Sequence, residues 1–188
     1  SECLVGSEMC IRDRDRAKKA QWNYDPSREH LNFEIGKGGV VMKVNKMKSI
    51  PQRIAENLEA RGIKDPNLSL INQGKRPYFK TVANFILGGN REVMRNLAFG
   101  NQNVNWEQGA DNTQLKRMPE IENWAKDAYR FMCKKYGEKN IAAFVVHLDE
   151  ANPHIHCTVL PITPKEKFSF LGVFLDGHDD KEACLLYT

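Results

Sequence analysis

The chain has 188 residues, 41% of them hydrophobic and 28% charged, with a formal net charge of +4 at pH 7. That is enough for one good core with at most a small subdomain, and no apolar run approaches the length that spans a bilayer. The mild positive charge is compatible with a nucleic-acid partner without demanding one.

The two ends read differently from the rest. CLVGSEMCIRDR near the start and CLLYT at the end match translated sequencing-library transposase adapter. TGT CTC TTA TAC ACA encodes Cys184 to Thr188, and GTG GGC TCG GAG ATG TGT ATA AGA GAC on the opposite strand encodes Val5 to Asp13. Residues 1–14 and 184–188 are therefore expected to be adapter-derived, leaving 15–183 as a partial domain that lacks both natural termini. Setting them aside leaves 26 basic and 21 acidic side chains, a net +5, and reduces the cysteines to Cys133 and Cys157. Two cysteines do not make a disulfide scaffold; they point to a reducing compartment, the cytoplasm.

In chain order, DRAKKAQWNYDPS (15–27) is polar and ends in the turn-forming Asp25-Pro26-Ser27. HLNFEI (30–35) alternates, with Leu31, Phe33 and Ile35 on one face, which predicts a half-buried strand. GKGG breaks it and VVMKV resumes as a short strand. Ser49 is the expected N-cap of a helix through IPQRIAENLEAR that buries Ile54, Ala55 and Leu58 and stops at Gly62. The stretch from Lys64 to Pro77 reads as loop. KTVANFILGG predicts a strand, NREVMRNLAFG a short helix capped by Asn90, and residues 101–117 a polar loop. PEIENWAKDAYRFMCKKYG is the clearest helix, with Ile121, Trp124, Ala125, Ala128, Phe131 and Met132 as its core face and Gly137 as its end. IAAFVVHLDE then predicts a central strand, Ala151-Asn152-Pro153 a turn, and HIHCTVLPI the returning strand. Antiparallel strands with inserted helices imply an α+β layered fold, its helices packed on one face of the sheet.

The chemistry concentrates in HLDEANPHIHC (147–157), which holds three of the five histidines of the chain. His154 and His156 are two apart on a strand and share a face. The turn between them and His147 brings all three imidazoles together, and neutral imidazole is the commonest transition-metal ligand. Glu150 stands at the turn, placed to ligate or to act as a base, and Asp149 to hold an imidazole in its working tautomer. Three histidines leave coordination positions open, which favours catalysis over a purely structural ion. Composition alone does not separate phosphate from carbonyl substrates.

HLDEANPHIHC resembles the His-x-Asp-Glu-x-x-Pro-His-x-His signature of mobilisation relaxases of the MobV (Pre/Mob, plasmid recombination enzyme) family, and DPSREHLNFEI resembles an upstream element of the same family. The likeness covers roughly residues 24–170. It implies a histidine-hydrophobic-histidine (HUH) relaxase-like endonuclease, built on an antiparallel sheet, that takes part in plasmid mobilisation. It implies a divalent ion, Mn2+ or Mg2+, on His147, His154, His156 and Glu150, set against a scissile phosphate of single-stranded DNA at a plasmid transfer origin. Site- and strand-specific nicking and rejoining would run through a covalent protein–DNA intermediate. Arg28, His30 and Asn32 of the upstream element are expected DNA contacts. The basic run Lys43, Lys46 and Lys48 and the ring of Trp106 are further ones. Family members often continue into a C-terminal region through which they can dimerise.

The likeness fails at the nucleophile. A His-x-x-Arg pattern usually precedes the upstream element; aligning Arg16 with that arginine puts Asp13 where the histidine belongs, and the first strand of the family sheet is also expected to be missing. Tyr24 is the residue nearest the right region with the right chemistry. Two other readings compete: a metal-dependent hydrolase of a small molecule, marked by a deep apolar pocket beside the histidines, and a single-stranded-DNA-binding remnant without chemistry, marked by salt-sensitive binding without cleavage.

Overall fold

The protein's structure is a computed structural model that describes residues 24–174. The adapter-like ends, Asp13, Arg16 and any strand ahead of residue 24 lie outside the described residues.

Among the described residues five strands form one antiparallel sheet: β1 (Phe33–Gly36), β2 (Val40–Lys43), β3 (Ala83–Leu87), β4 (Ile141–His147) and β5 (His154–Val159), in the order β2-β1-β4-β5-β3. β4 is the central strand, as its apolar run suggests. Alternation sorts the side chains. Phe33, Ile35, Phe85, Phe144, Val146, Ile155, Cys157 and Val159 turn to the core, while Asn84, Ile86, Val145, His147, His154, His156 and Thr158 turn to the other face.

The core face is covered by α3 (Arg91–Phe99) and α4 (Pro119–Tyr136). Ile121, Ala125, Tyr129, Met132 and Tyr136 recur every three to four residues along α4 and are all buried, and Gly137, at φ 84°, ends it. α1 (Ile50–Ala60) starts at the expected Ser49, which forms a capping box with Gln52. It packs Leu58 and Ile54 onto Leu160 and Ile162, a second small core at the end of the sheet remote from the histidines.

Four details differ from the pattern reading. Residues Pro26–Leu31 form a 3-10 helix, so the strand begins only at Phe33, although Leu31, Phe33 and Ile35 are all buried. Asp25 causes this by capping the 3-10 turn through the backbone N–H of Ser27. Ala55 is exposed and only Leu58 of the predicted stripe is fully buried. The stretch read as loop contains a short helix, α2 (Leu68–Asn72). Phe131 is 55% exposed, because its position on α4 is rotated about 100° from Met132, and Tyr129 and Tyr136 fill the core instead. A last short helix, α5 (Phe170–Phe174), packs Phe174 on Phe85 and Tyr136. No described helix is long and apolar enough to cross a membrane.

Candidate functional site

The histidines meet because of strand register. His147, the last residue of β4, lies directly opposite His154, the first of β5, and His156 follows two residues on along the same face. Nε2 of His154 and Nε2 of His156 are 2.8 Å apart. Nδ1 of His154 sits 2.9 Å from the carbonyl of Asn152 and donates to it, which turns Nε2 toward His156. His147 lies parallel to His154, ring centroids 5.4 Å apart, and edge-on to His156 at 5.0 Å. Among the described residues no group of three or more His, Cys, Asp or Glu side chains is already arranged as a metal site. Two nitrogens face each other, and the third ring stands beside them.

Burial, with smaller contributions from His147 and His154, lowers the pKa of His156 to about 4, so this imidazole is neutral at pH 7. Asp149 is 4% exposed. Its Oδ2 accepts from Nδ2 of Asn32 at 2.6 Å, and its Oδ1 is buried without a hydrogen-bond partner, 3.7 Å from Nδ1 of His147. A buried polar atom without a partner is costly, and here it faces the histidine that a metal would need held by its second nitrogen. Glu150 pairs through its backbone with Tyr24, and both side chains line the histidine cleft.

The open sheet face is the floor of a cleft of about 1830 Å3. Lys43 lines it from β2, at one edge of the sheet, and Arg91 from beyond β3, at the other. Tyr24 reaches it from the upstream segment, with its hydroxyl pKa raised by burial and by the charges of Glu29, Asp149 and Asp25.

The upstream residues have internal partners that differ from those expected of DNA contacts. Arg28 is only 3% exposed; its Nε donates to Asp25 and its Nη1 to the carbonyl of Leu148, both at 2.8 Å. Asn32 uses Oδ1 to accept from the Leu148 N–H at 2.7 Å and Nδ2 to hold Asp149. His30 is exposed, with ring nitrogens 2.9 Å and 3.1 Å from the carbonyls of Ser27 and Leu115. Lys46 and Lys48 pair with Glu29 and Glu56. The ring of Trp106 is taken by two guanidiniums, Arg95 at 3.5 Å and Arg28 at 4.7 Å from its centroid. Arg95 also holds the carbonyl of Ala151 at 2.9 Å. The turn between the histidine strands is thus gripped at Leu148 by Arg28 and at Ala151 by Arg95. Sequence reading missed Arg95, since nothing local separates a surface helix arginine from one that reaches a distant carbonyl.

The family model described as plasmid recombination enzyme matches residues 65–175, more than half of the chain. The chain belongs to the plasmid recombination enzyme family. Relatives described by the same name are 35% identical over 57 residues in Bacillus thuringiensis (30% of this chain, 13% of the relative) and 28% identical over 104 residues in Lactiplantibacillus plantarum (54% and 29%). A plasmid recombination enzyme type 1 of Staphylococcus aureus is 40% identical over 50 residues (27% and 12%). The matches thus span no more than 29% of these curated relatives.

Among solved structures, the chain matches the MobM relaxase domain (MOBV), crystallised manganese-bound with transfer-origin DNA of plasmid pMV158. The TM-scores are 0.59 and 0.60 at 18% identity, covering 96% of this chain and 76% of that one. At that identity the likeness establishes the α+β relaxase fold. His147, Asp149, Glu150, His154 and His156 lie inside the stretch matched by the plasmid recombination enzyme model, and Tyr24, Arg28, His30 and Asn32 lie outside it.

Proposed function

We propose that this chain is the metal-holding part of a plasmid mobilisation relaxase, a protein that nicks and rejoins one DNA strand at a plasmid transfer origin. The observation that carries the reading is the 2.8 Å apposition of the His154 and His156 Nε2 atoms, beside His147, on the open sheet face. Two nitrogens bound in neighbouring positions of one first-row metal stand about 3 Å apart, so the spacing fits a divalent ion. His147, His154 and His156 are its ligands, with Glu150 a further ligand or a general base and Asp149 the partner that orients His147. Nitrogen ligation suits Mn2+ better than Mg2+. When bound, the ion polarises a phosphoryl oxygen.

The chain's own residues do the rest. His156, held neutral at pH 7 by its burial, presents no positive charge to an incoming cation. Lys43 and Arg91, on opposite edges of the cleft, balance backbone phosphates of a strand laid across the sheet. In the nicking step a bond forms between the nucleophile and phosphorus while the P–O3′ bond breaks, freeing a 3′ hydroxyl and leaving the 5′ end on the protein; the reverse step reseals the strand. Tyr24 lines the cleft and is a candidate nucleophile among the described residues, with its hydroxyl pKa raised by burial and by the charges of Glu29, Asp149 and Asp25. The chain is expected to bind metal. A small-molecule hydrolase would want an enclosed apolar pocket, whereas this cleft crosses the sheet from Lys43 to Arg91.

The test is a calorimetric titration of Mn2+ into the chain and into a His154→Ala, His156→Ala double variant. Uptake by the parent that disappears in the variant supports the reading. A folded parent chain that takes up no manganese sinks it.

A further inference from the structure

Asn67 is fully buried, and its side chain ties down a loop twelve residues away. Its Oδ1 accepts from the backbone N–H groups of Tyr78 and Phe79, at 3.0 Å and 2.9 Å, and its Nδ2 donates to the carbonyl of Phe79 at 2.9 Å. Asp65 in turn holds the backbone N–H of Asn67 at 2.8 Å. A buried amide making three backbone bonds fixes the loop's shape. What the fixed loop displays is unusual for a surface: Tyr78 is 82% exposed and Phe79 50%, their rings edge to face with centroids 5.3 Å apart.

Large exposed aromatics mark contact surfaces, and the charge around these selects the partner. The loop carries Lys75, Arg76 and Lys80, and no carboxylate occurs between Asp65 and Glu92. Rigid aromatic rings set among cations form the platform on which single-stranded bases stack while phosphates are neutralised, with little sequence preference. The loop leads into β3 at Ala83, the end paired with Val159, whereas the histidines lie toward Leu87, paired with Ile155. None of residues 64–82 lines the histidine cleft.

We propose that residues 75–80 form a second binding site, for single-stranded DNA, in which Tyr78 and Phe79 stack on bases and Lys75 and Arg76 meet phosphates. The proposal deepens the relaxase reading and rests on it for the choice of DNA. The site would hold the strand away from the point of cleavage, where sequence tolerance is what a flanking segment requires.

The experiment measures fluorescence anisotropy of labelled oligo(dT) of about 15 nucleotides with the full chain in EDTA, so that neither metal nor cleavage contributes. A Tyr78→Ala, Phe79→Ala double variant, whose rings are exposed and support no core, should keep the parent's melting temperature and bind at least about tenfold more weakly. Arg76→Ala should lower the slope of log K against log salt by about 0.7. Undiminished binding by the folded double variant overturns the proposal, and so does an equal loss of affinity for inorganic polyphosphate, which has no bases to stack. Mn2+ calorimetry on the same preparations separates the two readings. Manganese uptake together with oligonucleotide binding that ignores Tyr78 and Phe79 overturns the loop alone. Binding that depends on both rings, in a chain that takes up no manganese, upholds the loop and overturns the metal reading.

Discussion

Asn32 and Asp149 are joined side chain to side chain: Nδ2 of Asn32 donates to Oδ2 of Asp149 at 2.6 Å, while Oδ1 of the same amide accepts from the backbone N–H of Leu148 at 2.7 Å. One side chain therefore sets both the backbone just past His147 and the carboxylate that faces it.

Asn32→Ala should act on metal affinity through that geometry. It strands a buried N–H and removes a charge-assisted bond, at about 1–3 kcal/mol of stability, and frees Asp149 to turn away from His147. Loss of a partner that orients a ligand typically lowers metal affinity by about 10- to 100-fold. Mn2+ calorimetry at a temperature where the variant is folded checks this; unchanged affinity would mean that Asp149 is held by something else.

Arg28→Ala should show itself as lost stability rather than as lost phosphate contact. The guanidinium is 3% exposed, bonded to Asp25 and to the carbonyl of Leu148, with the rings of Trp106 and Phe99 nearby at 4.7 Å and 5.5 Å. Removing one member of such a pair costs about 3 kcal/mol, readable in urea unfolding. The salt slope of oligonucleotide binding should stay as in the parent, whereas a phosphate contact would reduce it. Arg28→Lys should recover only part of the stability, because a single ammonium lacks the planar fork that serves both partners.

Asp25 gives the fold a pH dependence of known sign. Burial opposes its ionisation, but hydrogen bonds from the side chains of Ser27, Asn112 and Arg28 and from the Ser27 backbone outweigh it and hold the carboxyl below its usual range. A depressed folded pKa means stability that is present above the unfolded carboxylate value and is lost as pH falls through the folded one. Urea midpoints of the parent should therefore decline below about pH 4 more steeply than those of Asp25→Asn, the two curves converging in acid. Parallel curves would show that Asp25 titrates as it does in the unfolded chain.

The strands and the histidine cluster were legible in the sequence because both follow period two: alternation put His154 and His156 on one face, and the tight turn put His147 across from them. The roles of Arg28 and Asn32 were not legible. Their partners, Leu148 and Asp149, lie more than a hundred residues away, and a polar residue in a surface-like segment reads the same whether it meets solvent, DNA or a distant carbonyl. Asn67 was silent for the same reason: only the folded loop reveals that Tyr78 and Phe79 depend on it.

Helix α4 shows the limit of pattern reading within a single element and supplies the last test. Apolar residues at both Phe131 and Met132 leave the phase of the helix open by one position, and a reader who prefers the larger ring buries Phe131. Tyr129 and Tyr136 settle the phase the other way. Tyr129 stacks edge-on against Phe144 at 5.2 Å and donates its hydroxyl to Glu138 at 2.9 Å; Tyr136 packs on Phe85 at 5.4 Å. The buried face therefore runs through Met132, which is 2% exposed, and leaves Phe131 outside. Met132→Ala should cost about 2–5 kcal/mol by emptying a filled site, and Phe131→Ser should stay within about 0.5 kcal/mol as an ordinary surface change. Paired urea titrations decide it. A larger loss for Phe131→Ser would rotate the helix by a residue and move the core that supports β4 beneath the histidines.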